Sequence, residues 1–130
     1  MNCGRRMLLC ALFFFTIAWA GRVEAQTEQG RVTRIAEIEI DPYQVEPYKA
    51  ALREEIADSI RLEPGVLTLY AVSIKDHPEQ VRVFEVYANQ AAYRAHLQTV
   101  QFKKYKAATQ GMVRSLKLIE VDPILLSAKR

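Results

Sequence analysis

Beyond residue 25 the sequence contains no cysteine, because both of its cysteines, Cys3 and Cys10, lie in the first ten positions. With that leading segment removed, a thiol nucleophile, a thiolate metal ligand and a disulfide are all excluded. Small domains in oxidising compartments usually carry disulfides, so stability here has to come from a hydrophobic core, an oligomer, or both. Glycine is also scarce, five in 130 residues, and none falls in a G-x-G-x-x-G run, so a nucleotide cofactor has no signature. The two histidines form neither an i, i+4 pair nor an H-E-x-x-H motif, which leaves no metal-ligand set. A basic excess is missing as well. Residues 26–130 hold 15 Lys plus Arg against 14 Asp plus Glu, a net charge of +1 compared with +3 for the whole chain. That balance argues against nucleic acid or an anionic membrane surface as partner. Lys103, Lys104 and Lys106 read as the solvated face of a helix.

What the sequence does have begins with a targeting segment over residues 1–25. Arg5 and Arg6 form a positive start, Met7 to Ala20 is an apolar run of 14 residues, and Val23-Glu24-Ala25 supplies small residues for cleavage. A span needs about 20 apolar residues, so the reading is a signal peptide cleaved after Ala25, with a retained anchor as the alternative. The expectation is export to a periplasmic or extracellular space without stable membrane insertion. Arg5-Arg6 also loosely matches a twin-arginine signal. Residues 26–30 read as a flexible lead-in, 31–122 as one domain and 123–130 as a tail.

Within the domain, Ala36, Ile38 and Ile40 alternate with Glu37 and Glu39, the period of a half-buried strand over 34–40. Val45, Tyr48, Leu52, Ile56 and Ile60 recur at spacings of three and four and predict a helix over 45–62, with Pro47 tolerated in its first turn. Glu63-Pro64-Gly65 stops it. A strand over 66–74, a turn cluster at Asp76–Glu79 and a strand over 81–87 read as a hairpin. Asn89 caps a helix over 90–98, a second helical piece covers 102–109, and 114–121 is the last strand. The order β-α-β-β-α-β predicts an α+β, ferredoxin-like antiparallel sheet with its helices on one face. Both parities of the second and third strands are apolar, which leaves one sheet face for a partner. A homodimer packed sheet to sheet is therefore expected.

Few ionisable residues sit in unusual settings. His77, before Pro78, reads as an exposed turn residue. His96 falls with Tyr93, Leu97 and Val100 at i, i+3, i+4 and i+7, on the helix stripe that faces the sheet. It is open to two readings, a satisfied packing histidine or a general base. Glu85 lies in the apolar strand Val83-Phe84-Glu85-Val86-Tyr87, where a buried carboxylate must find a partner or take up a proton. One reading pairs it with an arginine on a neighbouring strand. The other makes it the acid that orients His96 in a catalytic dyad.

Glu63-Pro64-Gly65-Val66-Leu67, Val83-Phe84-Glu85-Val86-Tyr87, Ala91-Ala92-Tyr93-Arg94-Ala95-His96-Leu97 and Phe102-Lys103-Lys104-Tyr105 together resemble the antibiotic biosynthesis monooxygenase family, in particular its small quinol monooxygenase-like members. The resemblance covers most of 31–122. It implies a dimeric α+β barrel and an activity without metal, flavin or haem, in which a small aromatic or quinol substrate reduces dioxygen directly. It implies catalytic roles for His96 and Glu85, and Tyr70, Tyr87 and Tyr93 become candidate substrate-binding walls. Two departures matter. Gln101 stands where many relatives carry a second histidine. Ile38 and Tyr87 replace the asparagine and tryptophan of haem-degrading relatives, and no histidine follows His96, which disfavours haem oxygenation. Two other classes stay open: a non-catalytic dimeric module, small-ligand binding or stress-related, and an isomerase or degrading enzyme for a small signalling molecule.

Overall fold

The computed structural model describes residues 30–129. The expected signal segment at 1–25, and the lead-in up to residue 29, lie outside them. The elements are β1 (Val32–Ile40), a 3-10 turn (Pro42–Gln44), α1 (Val45–Leu62), β2 (Val66–Ile74), β3 (His77–Tyr87), α2 (Gln90–His96), α3 (Val100–Thr109) and β4 (Val113–Glu120). The four strands are antiparallel in the order β2-β3-β1-β4. This is the ferredoxin-like α+β arrangement expected from the element order, with β2 and β4 as open edges, so the sheet of one chain does not close into a barrel.

Caps fix where the helices begin. The Asn89 side chain accepts from the Ala92 N–H at 2.9 Å, and the Thr99 hydroxyl accepts from the Phe102 N–H at 3.3 Å. These caps satisfy N–H groups that a first turn leaves free, and Thr99 separates α2 from α3. Register then sorts the strand residues by face. Ala36 lies opposite Val83 and Leu118, and Ile38 opposite Val81 and Leu116. With Ile40 they meet Val45, Tyr48 and Leu52 of α1 in the main core. Val32, Val66, Leu69 and Tyr87 form a second buried cluster under α2.

Four details differ from the sequence reading. The buried stripe of α1 is Val45, Tyr48, Leu52, Glu55 and Ser59, while Ile60 is 47% exposed. The stripe turns toward Glu55 and Ser59 because these polar groups meet a partner inside, as described below. A register shift between Val66 and Thr68 puts Val66 and Leu69 on the same buried side, which strict alternation does not allow. The hairpin turns on Lys75-Asp76 alone, since Ile74 already pairs with His77. Pro78 is tolerated inside β3 because β1 pairs with that strand only from Gln80 onward, so its missing N–H interrupts no bond on that side. Finally, Val100 opens α3 and is exposed instead of joining the stripe of α2.

On the face away from the helices, Tyr70 lies opposite Phe84, and Ile35 lies opposite both Phe84 and Ile119. Tyr70 and Val72 are 64% and 59% exposed. A single chain leaves this face exposed at Tyr70 and Val72, whereas Thr33 and Val86 on the same face are buried.

Candidate functional site

Between the helices and the sheet lies a partly open cavity of about 110 Å³ whose walls include Leu52, Glu55, Leu69, Glu85, Tyr87, Tyr93, His96, Phe102 and Tyr105. All three helices and the sheet contribute, so the cavity follows from the way they pack.

His96 enters it from the end of α2. That helix lies close to the start of β2 because residue 65 is glycine: a Cβ there would stand 2.5 Å from the Ala92 Cβ. The Ala88 N–H donates to the Gly65 carbonyl at 2.9 Å and secures the same approach. The imidazole is 3% exposed and lies between Tyr87 and Phe102, with ring centroids 5.3 and 4.7 Å away. Its Nδ1 is 3.1 and 3.2 Å from the two carboxylate oxygens of Glu63, and its Nε2 is 3.7 Å from Glu55 Oε1. Gln101 Nε2 donates to Glu63 Oε1 at 2.8 Å, and the Ser59 hydroxyl donates to Glu55 Oε1 at 2.7 Å. Burial pushes the Glu55 carboxyl above its ordinary pKa, against the pull of the Ser59 hydroxyl and the His96 charge.

Glu85 faces the cavity from β3. The Tyr87 hydroxyl donates to its Oε2 at 3.0 Å. Arg34 occupies the paired position on β1, yet among the described residues it forms no ion pair with Glu85. Its guanidinium instead lies over the Tyr93 ring, 4.0 Å from the centroid. Glu85 is thus a carboxyl without a paired cation, and burial raises its pKa despite the Tyr87 hydroxyl. The Tyr87 hydroxyl is itself pushed far up, by burial and then by the Glu85 charge. Deeper in, the Tyr48 and Tyr105 hydroxyls meet at 2.7 Å.

His96, Glu85, Tyr87 and Tyr93 therefore share one cavity. The direct contact expected between His96 and Glu85 is not made, because His96 sits at the end of α2 beside the end of α1, where Glu63 and Glu55 reach its nitrogens first. The arginine expected opposite Glu85 is present as Arg34 but is turned onto Tyr93. Tyr70 is not a wall of this cavity, because its register with Phe84 puts it on the opposite face of the sheet. Sequence reasoning missed Glu55 and Glu63 as neighbours of the imidazole, and Gln101 as the partner of Glu63. Glu55 had a usable signal, since 45, 48, 52, 55 and 59 fit a helical stripe as well as the apolar series does.

Fold and site together define a small α+β protein with an aromatic-walled cavity holding an imidazole between carboxylates. The family model described as antibiotic biosynthesis monooxygenase matches residues 31–108, and the chain belongs to that family. A candidate antibiotic biosynthesis monooxygenase from Bacteriodes thetaiotaomicron VPI-5482 is 47% identical, with 79% of this chain and 98% of that one covered and a TM-score of 0.76. A candidate monooxygenase from Lactobacillus acidophilus NCFM is 28% identical over 72% of this chain and half of its own, with a TM-score of 0.67. A structure from Caulobacter crescentus CB15, at 22% identity and a TM-score of 0.69 over 75% of this chain and 92% of its own, shows the shared fold. A search of curated proteins finds no match.

Proposed function

We propose that the protein is an exported, homodimeric, cofactor-independent monooxygenase acting on a small electron-rich aromatic such as a quinol. The observation that carries this is the cavity between helices and sheet, aromatic on several walls, in which His96 and Glu85 are polar groups set among apolar ones. An engineered apolar cavity of about 150 Å³ holds benzene. At about 110 Å³, this one is of the same order, in keeping with an aromatic ring as ligand.

In the reaction a diphenol and dioxygen give a hydroxyquinone and water. The substrate supplies all four electrons; one oxygen atom adds to the ring and the other leaves as water. His96 takes a phenolic proton at Nε2, which makes the ring electron-rich enough to reduce dioxygen, and later returns the proton to the departing oxygen. Glu85, whose carboxyl burial pushes above its ordinary pKa, faces the ligand from β3 and in its protonated form donates a hydrogen bond to a substrate oxygen. The apolar walls hold the ring and exclude water. A second copy covering the face that bears Tyr70, Val72 and Phe84 completes the molecule.

The test is oxygen uptake by the purified protein with a panel of dihydroxybenzenes and dihydroxynaphthalenes. Uptake above autoxidation that falls about a hundredfold in His96→Ala, the range for loss of a general base, is the expected result. No uptake with any of them, together with binding of the same compounds, would turn the assignment to a ligand-binding module.

A further inference from the structure

The two nitrogens of His96 are not equivalent. Nδ1 has both oxygens of Glu63 within 3.2 Å, whereas the carboxylate nearest Nε2 is 3.7 Å away, beyond a hydrogen bond. Each acid is held in its place by another group. Gln101 donates to Glu63, and Ser59, fully buried, donates to the same Glu55 oxygen that faces Nε2. Glu63 follows the last turn of α1, where its own N–H still bonds to the Ser59 carbonyl at 2.9 Å. Its side chain is therefore tied to the end of a helix and not to a free loop. Two residues later, Gly65 lets α2 come close enough for His96 to reach it.

We propose that Glu63 is the positioning residue of the site, holding a proton on His96 Nδ1 so that Nε2 is the nitrogen that exchanges protons with the cavity. An imidazole whose one nitrogen donates to a carboxylate has its tautomer and ring orientation fixed from that side. Glu63 performs that task here, and Glu85 is free to face the ligand. Gln101 reinforces the arrangement by occupying a lone pair of Glu63 Oε1. This deepens the monooxygenase reading, since it names how the base is made competent, but the structural claim stands without any substrate.

The experiment is nitrogen-15 NMR of the His96 ring in the full chain without ligand, above the titration of the ring, for wild type, Glu63→Leu, Glu63→Gln and Glu85→Gln. The wild type is expected to show the Nδ1–H tautomer as the dominant species. Glu63→Leu, similar in bulk but with no acceptor, is expected to lose that dominance; Glu63→Gln, whose amide oxygen still accepts, is expected to retain part of it; and Glu85→Gln is expected to leave it unchanged. If Glu63→Leu melts early, Glu63→Gln and the Gly65→Ala variant, which pushes α2 away from the carboxylate, provide the comparison in a folded chain. With an active substrate, Glu63→Leu is expected to lower kcat by tenfold or more with little change in KM. A wild-type ring protonated on Nε2, or an unchanged tautomer in Glu63→Leu, would overturn the proposal. Oxygen uptake absent from the wild type, with the tautomer pattern as expected, would instead defeat only the monooxygenase assignment.

Discussion

At the scale of single residues, the site is defined by carboxyl groups taken out of water without a full complement of cations. Glu85 is the clearest case, with Arg34 engaged by Tyr93 and only a tyrosine hydroxyl as its partner. A carboxyl whose folded pKa lies above its unfolded value binds its proton more tightly in the native state. It therefore favours folding most at low pH and loses that contribution as pH rises from about 4.5 through the folded value. Glu85→Gln removes the penalty, so its melting temperature should exceed that of the wild type near pH 7.5 and converge with it near pH 4.5, as read by calorimetry across that range. The Tyr48–Tyr105 hydroxyl pair gives the opposite kind of prediction. Tyr48→Phe leaves the half-buried Tyr105 hydroxyl without its partner and should lower the unfolding free energy by about 1 kcal/mol in urea titrations. His96 was legible in the sequence because an imidazole on an apolar helical stripe is rare enough to stand out. Its true neighbours were not, because Glu55 and Glu63 belong to a different helix, and only packing decides which carboxylate of three reaches which nitrogen.

At the scale of elements, the strand and helix order was legible throughout, since alternation, helical spacing and caps all pointed the same way. The exceptions are places where the chain breaks period. The register shift at Val66–Thr68 and the polar end of the α1 stripe both lie where a strand or helix serves the cavity more than the core. Gly65 is the pivot between them. Gly65→Ala sets a methyl group against a methyl carried by the backbone of α2, so the helix itself must move. A loss of about 1–3 kcal/mol, the usual range for overpacking, is expected, with Ala92→Gly restoring most of it in the double variant; equilibrium unfolding of the three proteins measures both terms. At the junction of α2 and α3, Thr99→Ala should remove a cap worth about 1 kcal/mol, read as a lower urea midpoint with an unchanged slope.

At the scale of the whole molecule, the uneven covering of the sheet is what matters. One face is closed by α1, α2 and α3, while the other exposes Tyr70 and Val72, with Phe84 half-buried beside them. Light scattering at micromolar concentration is expected to give twice the chain mass. The double variant Tyr70→Glu with Val72→Glu is expected to give the single mass, because charges on both residues would be buried unpaired in the interface. The exposed apolar side chains of Tyr70 and Val72 were readable in advance from the apolar residues on both parities of β2. The cavity volume was not, because it depends on how closely α2 and α3 settle over the sheet.

The position of β1 has one more consequence, in the order of assembly. It lies inside the sheet, and both of its neighbours come later in the chain: β3 at 77–87 and β4 at 113–120. Contacts that span so much sequence form slowly, since each must close a long loop before it returns any stabilisation. The first strand to leave the ribosome therefore keeps a bare edge until residue 113 and those after it have emerged. Until then only the other edge of β1 has its partner, β3.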